Sequence, residues 1–254
     1  MASISLSISA LASLKKSLRA EYPDVGSSHL TEAIAAALGR KSHAALLTEL
    51  TRQMHMPDVE LLDDECFDKR LQDFGYPADH EFSFEWLIDS VPGIISTIPL
   101  SAFDIEYRTD RERAWRNLMV CAINEGIRQK LFTLQPDNYS WAENETKEVG
   151  RVKEGGLFDF ALPTGQPARG YVSDAGFGEL SIHAAVNPNG QWVRAENAGF
   201  SAGDAFAAGW LEREKGAWLQ AATTQFNCRK SLLKTLADIV VRPRGFGDRG
   251  RVIM

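Results

Sequence analysis

The residues best suited to binding chemistry lie near the carboxyl end of the chain. Arg229 and Lys230 follow Asn227, a favourable N-cap, and Leu232 and Leu236 then recur at helical spacing. The first turn of a helix carries free N–H groups and the positive end of the helix dipole, so two cations there need an anion or a carboxylate among them. Phosphate is the candidate ligand. A carboxylate from the same chain would satisfy the same requirement, and this alternative stays open.

The segment after this predicted helix is basic and rich in glycine. Pro243 ends the helix, and residues 244–251 read Arg-Gly-Phe-Gly-Asp-Arg-Gly-Arg. Such segments contact nucleic-acid backbones, and the ring of Phe246 could stack on a base. The glycines match GxGxxG, but too little chain follows them to form the helix that holds a pyrophosphate. The alternative is a terminal strand or arm docked on the acidic part of the chain.

We therefore predict one set of nucleic-acid-binding residues. Its members are cations of the last helix and of the tail, together with one aromatic ring. They are Arg229, Lys230, Lys234, Arg242, Arg244, Phe246, Arg249 and Arg251.

The patterns that could indicate catalysis are weaker. Acidic residues between 58 and 65 could supply oxygen ligands, and Glu145 with Lys147 forms the ExK triplet of metal-dependent nucleases, although it lies in a polar connector. Cys228 shares the electropositive helix start, which lowers a thiol pKa, and His183 could serve as its base or as a partner of Ser181. Nothing in the sequence places these groups together. We predict no catalytic residue, no metal ligand and no cofactor.

Composition sets the class of protein. The 254 residues are 44% hydrophobic and 24% charged, which is typical of a soluble globular chain. No apolar run is long enough for a transmembrane helix, and the mildly apolar residues 2–13 precede their positive charges, the reverse of a secretory signal. The three cysteines are far apart, which argues against a disulfide framework or a cysteine zinc site. We expect a cytoplasmic protein without membrane contact.

The charges are sorted along the chain. Residues 55–110 carry fourteen acidic and three basic side chains, whereas residues 229–254 carry seven basic and two acidic ones. These segments could pair with each other, or each could meet a partner of opposite charge.

The first fifty residues show helical periodicity. Ile4, Ile8, Leu11, Leu14 and Leu18 predict a helix that ends near residue 22. A second helix is predicted from an N-cap at Ser28 to Gly39, and a third from an N-cap at Ser42 to about Gln53.

Residues 29–46, HLTEAIAAALGRKSHAAL, resemble a short helical module at the amino end of "glyoxalase-related" proteins carried on proteobacterial plasmids and integrative elements. The resemblance covers about forty residues and implies a mobile-element setting with an unknown role. It implies no glyoxalase chemistry, because the paired βαβββ units that carry that metal site are not visible. The same segment allows a helix-turn-helix interpretation, but Arg40 stands where that motif has an apolar residue, and an αα-hairpin is favoured.

The remaining elements complete an α+β prediction. Phe67, Leu71 and Phe74 predict a helix, Thr109 with Glu112 forms a capping box for a long helix, and residues 94–98 could be a strand or a loop. Alternation at 158–162 and 180–186, with an Asn-Gly turn at 189–190, predicts an antiparallel meander. A helix capped by Ser201 is predicted through Phe206 and Trp210, and the last helix is predicted to reach residue 240.

The predicted organisation has three parts: a helical hairpin module at 1–54, an acidic helical region at 55–136, and a small antiparallel sheet flanked by helices, with a basic arm, at 155–254.

The function we expect is a non-enzymatic accessory protein of a mobile element that contacts nucleic acid, or a nucleic-acid-bound complex, through the basic helix and arm. Two alternatives stay open. One is a metal-dependent nuclease or hydrolase that uses the acidic cluster, and the other is an acidic DNA mimic or inhibitor whose 55–110 region binds a basic protein.

Overall fold

The computed structural model describes residues 1–51, 57–79, 81–99, 102–134, 156–188, 203–214, 216–220 and 225–252. The chain is of the mixed α+β class that the sequence predicts. It forms two compact units, Met1–Thr97 and Ile98–Met254. This division falls between 97 and 98, whereas the sequence analysis places its boundaries after residue 54 and within 137–154. The Asn-Gly turn at 189–190, the Ser201 cap and the Glu145–Lys147 triplet lie outside the described residues.

The amino-terminal unit combines helices with a small sheet. Its strands pair antiparallel in the order β2-β1-β3, with β1 in the centre. A 3₁₀ helix, Phe84–Leu87, precedes β3. The other elements are β1 Ala2–Ser5, α1 Ile8–Glu21, α2 Ser27–Ala37, α3 His43–Leu50, β2 Val59–Leu62, α4 Asp64–Asp73 and β3 Ile94–Ser96.

The start of the chain is a strand and not the first turn of a helix. Ile4 lies in β1, buried between its two neighbouring strands, and α1 begins only at Ile8 after Ser7 accepts a hydrogen bond from the Ala10 amide at 3.2 Å. The exposed Ile8 is not on the buried stripe, which runs through Leu14 and Leu18. The apolar residues at 94–96 form the strand β3, which was one of the two interpretations left open.

Arg40 holds the turn between α2 and α3. Its Nε donates to Oε2 of Glu49 at 2.9 Å and its Nη2 donates to Oε1 of Glu60 at 2.8 Å, with only 17% of the side chain exposed. Arg40 therefore ties the helical hairpin to strand β2. The exposed Ala44, Ala45 and Leu47 of α3 offer no hydrogen-bonding group to a base edge, and the exposed Thr48 hydroxyl donates to the Ala44 carbonyl at 3.0 Å.

The carboxyl-terminal unit is a sheet with two helices. The strand order is β4-β11-β9-β8-β7-β6-β5, and β10 pairs with β8. Every pair is antiparallel except β11 with β9, which is parallel, so the predicted antiparallel sheet is correct only in part. The elements are β4 Ala102–Asp104, α5 Asp110–Arg128, β5 Gly156–Ala161, β6 Pro167–Gly176, β7 Glu179–Val186, β8 Ala205–Glu212, β9 Trp218–Gln220, β10 Phe226–Cys228, α6 Lys230–Ala237 and β11 Gly247–Val252.

Helix α5 is the centre of this unit. The predicted capping box is present: the Thr109 hydroxyl accepts from the Glu112 amide and the Glu112 carboxylate accepts from the Thr109 amide. The fully buried Trp115 donates its indole N–H to the Ala208 carbonyl at 2.9 Å, which fixes the helix on strand β8. Gly209 leaves the space that the Trp115 ring fills, because a Cβ there would lie 3.1 Å from it.

Two predictions in this unit are wrong. Residues 205–212 form the strand β8 and not a helix, since they pair with β7, β9 and β10. The last helix begins after Arg229 instead of Asn227 and ends at Ala237, so Val240 lies beyond it and is 93% exposed.

The hairpin between β6 and β7 carries an exposed aromatic ring at its tip. Phe177 has a φ of 54° and Gly178 a φ of 81°, which matches the two central residues of a type I′ turn. Asparagine is favoured at the first of these positions, and a left-handed conformation costs other residues about 1 kcal/mol or more. Phe177 is 90% exposed and so gains little from burial in return.

We expect Phe177→Asn to raise the free energy of unfolding by about 1 kcal/mol, because the turn conformation suits asparagine and little apolar burial is lost. Urea unfolding followed by fluorescence measures the change. Phe177→Val is the matched control, since its β-branched side chain disfavours the same φ and should lower stability. A loss of stability in Phe177→Asn would contradict this reading of the turn.

Candidate anion-binding surface of the carboxyl-terminal unit

The positive charge at the start of α6 is balanced from within the chain. Arg229 is the N-cap residue, and its Nη1 lies 3.0 Å from Oδ1 of Asp204. The Arg229 amide also donates to the Asp204 carbonyl at 3.0 Å, and Asn187 Nδ2 donates to the second Asp204 oxygen at 2.8 Å. The sequence left open whether the counter-charge is a bound anion or a carboxylate of the same chain. For Arg229 it is the carboxylate of Asp204. Arg229 does not require an external anion, whereas Lys230 is exposed beside it.

Two further members of the predicted nucleic-acid-binding set are engaged within the protein. Lys234 Nζ lies 2.9 Å from Asp238 and 3.9 Å from Asp110, and the hydrogen bond to Asp238 raises the pKa of Lys234. Phe246 is fully buried, so its ring cannot stack on a base, and that prediction is wrong. The ring packs inside the unit because the backbone after it enters strand β11.

The tail is a strand inside the sheet and not a free arm. β11 lies between β4 and β9, with Arg251 in register with Phe103, and the Arg249 carbonyl accepts from the Ile105 amide at 2.9 Å. Because β4 falls within the acidic region 55–110, the interpretation of a terminal strand docked there is confirmed. Arg249 and Arg251 are nevertheless exposed along this strand.

The segment between α6 and β11 is held by polar side chains of α5. We call residues 240–244 the basic strap. Asn117, which is 4% exposed, donates to the Leu236 and Ala237 carbonyls at 2.9 and 3.1 Å and so satisfies the last turn of α6. Arg116 Nη1 donates to the Val241 carbonyl at 2.8 Å.

Asn124 completes this attachment with two hydrogen bonds. Its Nδ2 donates to the Arg242 carbonyl at 2.8 Å, and its Oδ1 accepts from the Arg244 amide at 2.9 Å. Pro243 lies between the two arginines and restricts the backbone further. Ile239, 7% exposed, anchors the segment in the core just before the strap. The backbone of the strap is thus fixed, while the side chains of Val240, Arg242 and Arg244 are exposed to solvent.

The strap presents two exposed guanidinium groups. Neither Arg242 nor Arg244 makes an ion pair with a carboxylate of the described residues, and the same holds for Lys230, Arg249 and Arg251. Glu125 is near enough to be affected: its pKa is lowered first by its hydrogen bond to Arg128 and, more weakly, by the charge of Arg244. The sequence pattern could not reveal Asn117 and Asn124 as holding residues, because they lie on a helix more than a hundred positions away.

The acidic cluster of the amino-terminal unit has structural partners. Asp63 caps α4 by accepting from the Cys66 amide at 2.9 Å, and Asp64 accepts from the Ser83 hydroxyl and the Phe84 amide, both at 3.0 Å. Among the described residues, no three His, Cys, Asp or Glu side chains are grouped so that they could hold a metal ion. The structure therefore offers no support for a metal-dependent nuclease at this cluster.

The candidate nucleophiles lack the environment that activation requires. Burial raises the pKa of the Cys228 thiol to about 11, which outweighs the nearby Arg111 and overturns the expectation of a lowered value. Ser181 Oγ lies 3.4 Å from His183 Nε2, while the other ring nitrogen of His183 is buried without a hydrogen-bond partner among the described residues. Burial lowers the pKa of His183. A catalytic triad needs a third group that hydrogen-bonds to the histidine and orients it, and no side chain of the described residues does so at this nitrogen.

Comparison with known protein families, curated proteins and solved structures finds no match to this chain. The resemblance of residues 29–46 to the "glyoxalase-related" module stays a prediction. None of the helices among the described residues has the length and apolar character needed to cross a bilayer.

Proposed function

We propose that this chain is a non-enzymatic binding protein that contacts the phosphate backbone of nucleic acid, alone or in a nucleoprotein complex, through its basic strap. The observation that carries the proposal is the pair of exposed guanidinium groups of Arg242 and Arg244 on a backbone fixed by α5. Lys230, Arg249 and Arg251 are exposed cations of the same unit and are further candidates for phosphate contact. The mobile-element setting implied by residues 29–46 belongs to this proposal, as does a cytoplasmic location.

A fixed backbone favours this function on physical grounds. Arginine offers a planar fork of donors that matches a phosphate in two parallel hydrogen bonds. Binding usually costs free energy for ordering flexible segments, and that cost is smaller when the backbone is already held in place. Phosphate contacts of this kind give affinity without sequence preference, so we expect little discrimination between base sequences.

The test is a salt titration of nucleic-acid binding with the full-length chain. We expect Arg242→Gln/Arg244→Gln to bind duplex DNA roughly tenfold more weakly at low salt and to reduce the slope of log affinity against log salt by about 2, since two phosphate contacts are lost. Fluorescence anisotropy with a duplex, a single-stranded DNA and an RNA of equal length measures both quantities.

The matched control is Lys234→Gln, which removes an exposed cation already paired with Asp238 and Asp110. It should leave the affinity and the slope near the wild-type values. If the wild-type chain binds none of the three nucleic acids at low salt, or if the double variant binds as the wild type does, the proposal is wrong.

Asn124→Ala is expected to weaken binding several-fold, with an unchanged salt slope, because the charges remain while the strap loses two hydrogen bonds. An unchanged slope of log affinity against log salt indicates that Asn124 positions the arginines, whereas a reduced slope would indicate a lost phosphate contact. Gln72→Ala on α4 is the control, since its side chain donates to Asp68 at 2.6 Å and makes no hydrogen bond to the strap among the described residues. Equal affinity of Asn124→Ala and wild type would show that the attachment does not matter for binding.

A further inference from the structure

The tip of the β6–β7 hairpin displays an apolar ring that the fold does not use. Phe177 is 90% exposed, and its left-handed φ of 54° is one that an aromatic residue rarely adopts. Strained and exposed residues of this kind often mark binding sites, because nothing in the stability of the fold retains them.

Hydrogen bonds hold the backbone of the turn in place. Arg213, 6% exposed, donates from Nε to the Gly178 carbonyl at 2.9 Å and from Nη1 to the Thr133 carbonyl at 2.8 Å. Asp174 accepts from the Gly176 amide at 2.8 Å on the other arm of the turn. Phe177 is therefore presented in one place rather than on a loose loop.

Carboxylates lie near the base of this turn, where a Cβ on Gly178 would lie 3.3 Å from Cβ of Glu214. Glu179 follows the turn, and Glu212 and Glu214 lie close to it on the neighbouring strand end, where the Glu214 amide donates to Oε1 of Glu212 at 2.7 Å. Burial, followed by the charges of Glu212 and Glu214, raises the pKa of Glu179. These carboxylates repel phosphates and anionic lipid headgroups and favour a partner that is cationic and offers apolar contact.

The basic strap has that chemistry. Phe177 at 90% and Val240 at 93% are the two most exposed large apolar residues described, and the next ones, Ile8 and Trp86, are 64% exposed. Val240 stands beside Arg242 and Arg244, whereas Phe177 stands beside the carboxylates. The two surfaces belong to different elements, so one copy can offer its tip while another offers its strap.

We propose that the Phe177 tip of one copy docks on the basic strap of a second copy, in a head-to-tail contact between two different surfaces. A dimer made by such a contact leaves one tip and one strap unoccupied, so association should continue beyond a dimer, into a ring or a filament, as concentration rises. The inference shares the strap with the proposed function but does not rest on it, and nucleic acid would compete with the tip for the same arginines.

The experiment is sedimentation velocity on the full chain, freed of nucleic acid, across a range of concentrations at low and high salt. The wild-type mean mass should rise with concentration at low salt and fall towards the monomer at high salt. Phe177→Asn, which loses the tip, and Arg242→Glu/Arg244→Glu, which reverses the strap, should each remain monomeric alone. An equimolar mixture of the two variants should form a dimer and stop there, because only one intact tip and one intact strap remain between them.

The controls distinguish this contact from non-specific apolar association and from the proposed nucleic-acid binding. Leu157→Thr removes another exposed apolar residue and should associate as the wild type does. Phe177→Asn should bind nucleic acid at least as tightly as the wild type, because removing the tip leaves the strap free, so loss of association does not imply loss of nucleic-acid binding. A wild-type chain that stays monomeric at all concentrations, or variants whose mixture stays monomeric while the wild type associates, would overturn the proposal.

Discussion

Replacing Arg116 by Met is expected to lower the free energy of unfolding by about 3 kcal/mol. Arg116 Nε donates to Oδ2 of Asp248 at 2.6 Å, and its Nη1 donates to the Val241 carbonyl at 2.8 Å. The two side chains of the pair are only 16% and 14% exposed. Met fills most of the space but leaves the Asp248 carboxylate without its cation, and an uncompensated buried charge is costly. Chemical denaturation measured by tryptophan fluorescence reports the change.

The double variant Arg116→Met/Asp248→Asn distinguishes this cause from simple loss of packing. Removing both charges should recover part of the lost stability, because replacing a buried pair by neutral groups is much less costly than breaking it. A double-mutant cycle gives the coupling between the two positions. Equal destabilisation of the single and double variants would mean that the charge of Asp248 is not what Arg116 balances.

Helix α5 shows what the sequence alone could predict. Its capping box, Thr109 with Glu112, and its apolar periodicity are local features, so they do not depend on where the rest of the chain lies. Ser42 as the cap of α3 is local in the same sense and is confirmed, its hydroxyl accepting from the Ala45 amide.

Strand β8 shows where the periodicity fails. Phe206, Trp210 and Leu211 fall at spacings that suit a helix, yet residues 205–212 form a central strand. Most of this strand is buried, so its sequence is nearly continuously apolar and lacks the alternation that identifies a strand with one solvent face. Periodicity cannot separate a short buried strand from a buried helix, and pairing with β7, β9 and β10 decided the outcome.

The prediction for the carboxyl-terminal segment was wrong for a different reason. Its glycines and arginines suggested a flexible arm, but Gly250 is needed where a Cβ would lie 2.1 Å from the Trp218 ring, and β11 pairs with β4. Trp218 is more than thirty residues from Gly250 in the sequence, and β4 is more than a hundred residues from β11. The same separation hides Asn117 and Asn124 from any local motif, so the charges of the strap were predictable from sequence and its rigidity was not.

The charge sorting along the chain has a partial physical explanation. Glu60 binds Arg40, Asp79 accepts from the Tyr22 hydroxyl at 3.1 Å, and Asp68 accepts from the Asp79 amide at 2.9 Å. Carboxylates of the acidic region thus hold the amino-terminal unit together. These three carboxylates are engaged within the unit, so an acidic inhibitor would have to meet its basic partner through other exposed carboxylates of the region, such as Glu65 and Asp73.

Trp115→Ala is expected to give the largest single loss of stability, about 3 to 5 kcal/mol. The side chain is fully buried, packs where Gly209 makes room for it, and donates to the Ala208 carbonyl. Alanine would leave a cavity between α5 and β8 and an unpaired carbonyl in the core. Because α5 also carries Arg116, Asn117 and Asn124, the strap should lose its fixed backbone when this packing is disturbed, and nucleic-acid affinity should fall with stability.

Trp115→Phe separates the two contributions. It keeps an aromatic ring but removes the N–H, so we expect a smaller loss of about 1 to 2 kcal/mol, near the cost of one unsatisfied buried carbonyl together with a modest loss of packing. Amide hydrogen exchange along β8 locates the effect, since the Ala208 region should open first in this variant. If Trp115→Phe were as unstable as Trp115→Ala, the hydrogen bond and not the packing would be the main contact that holds α5, and with it the strap, against the sheet.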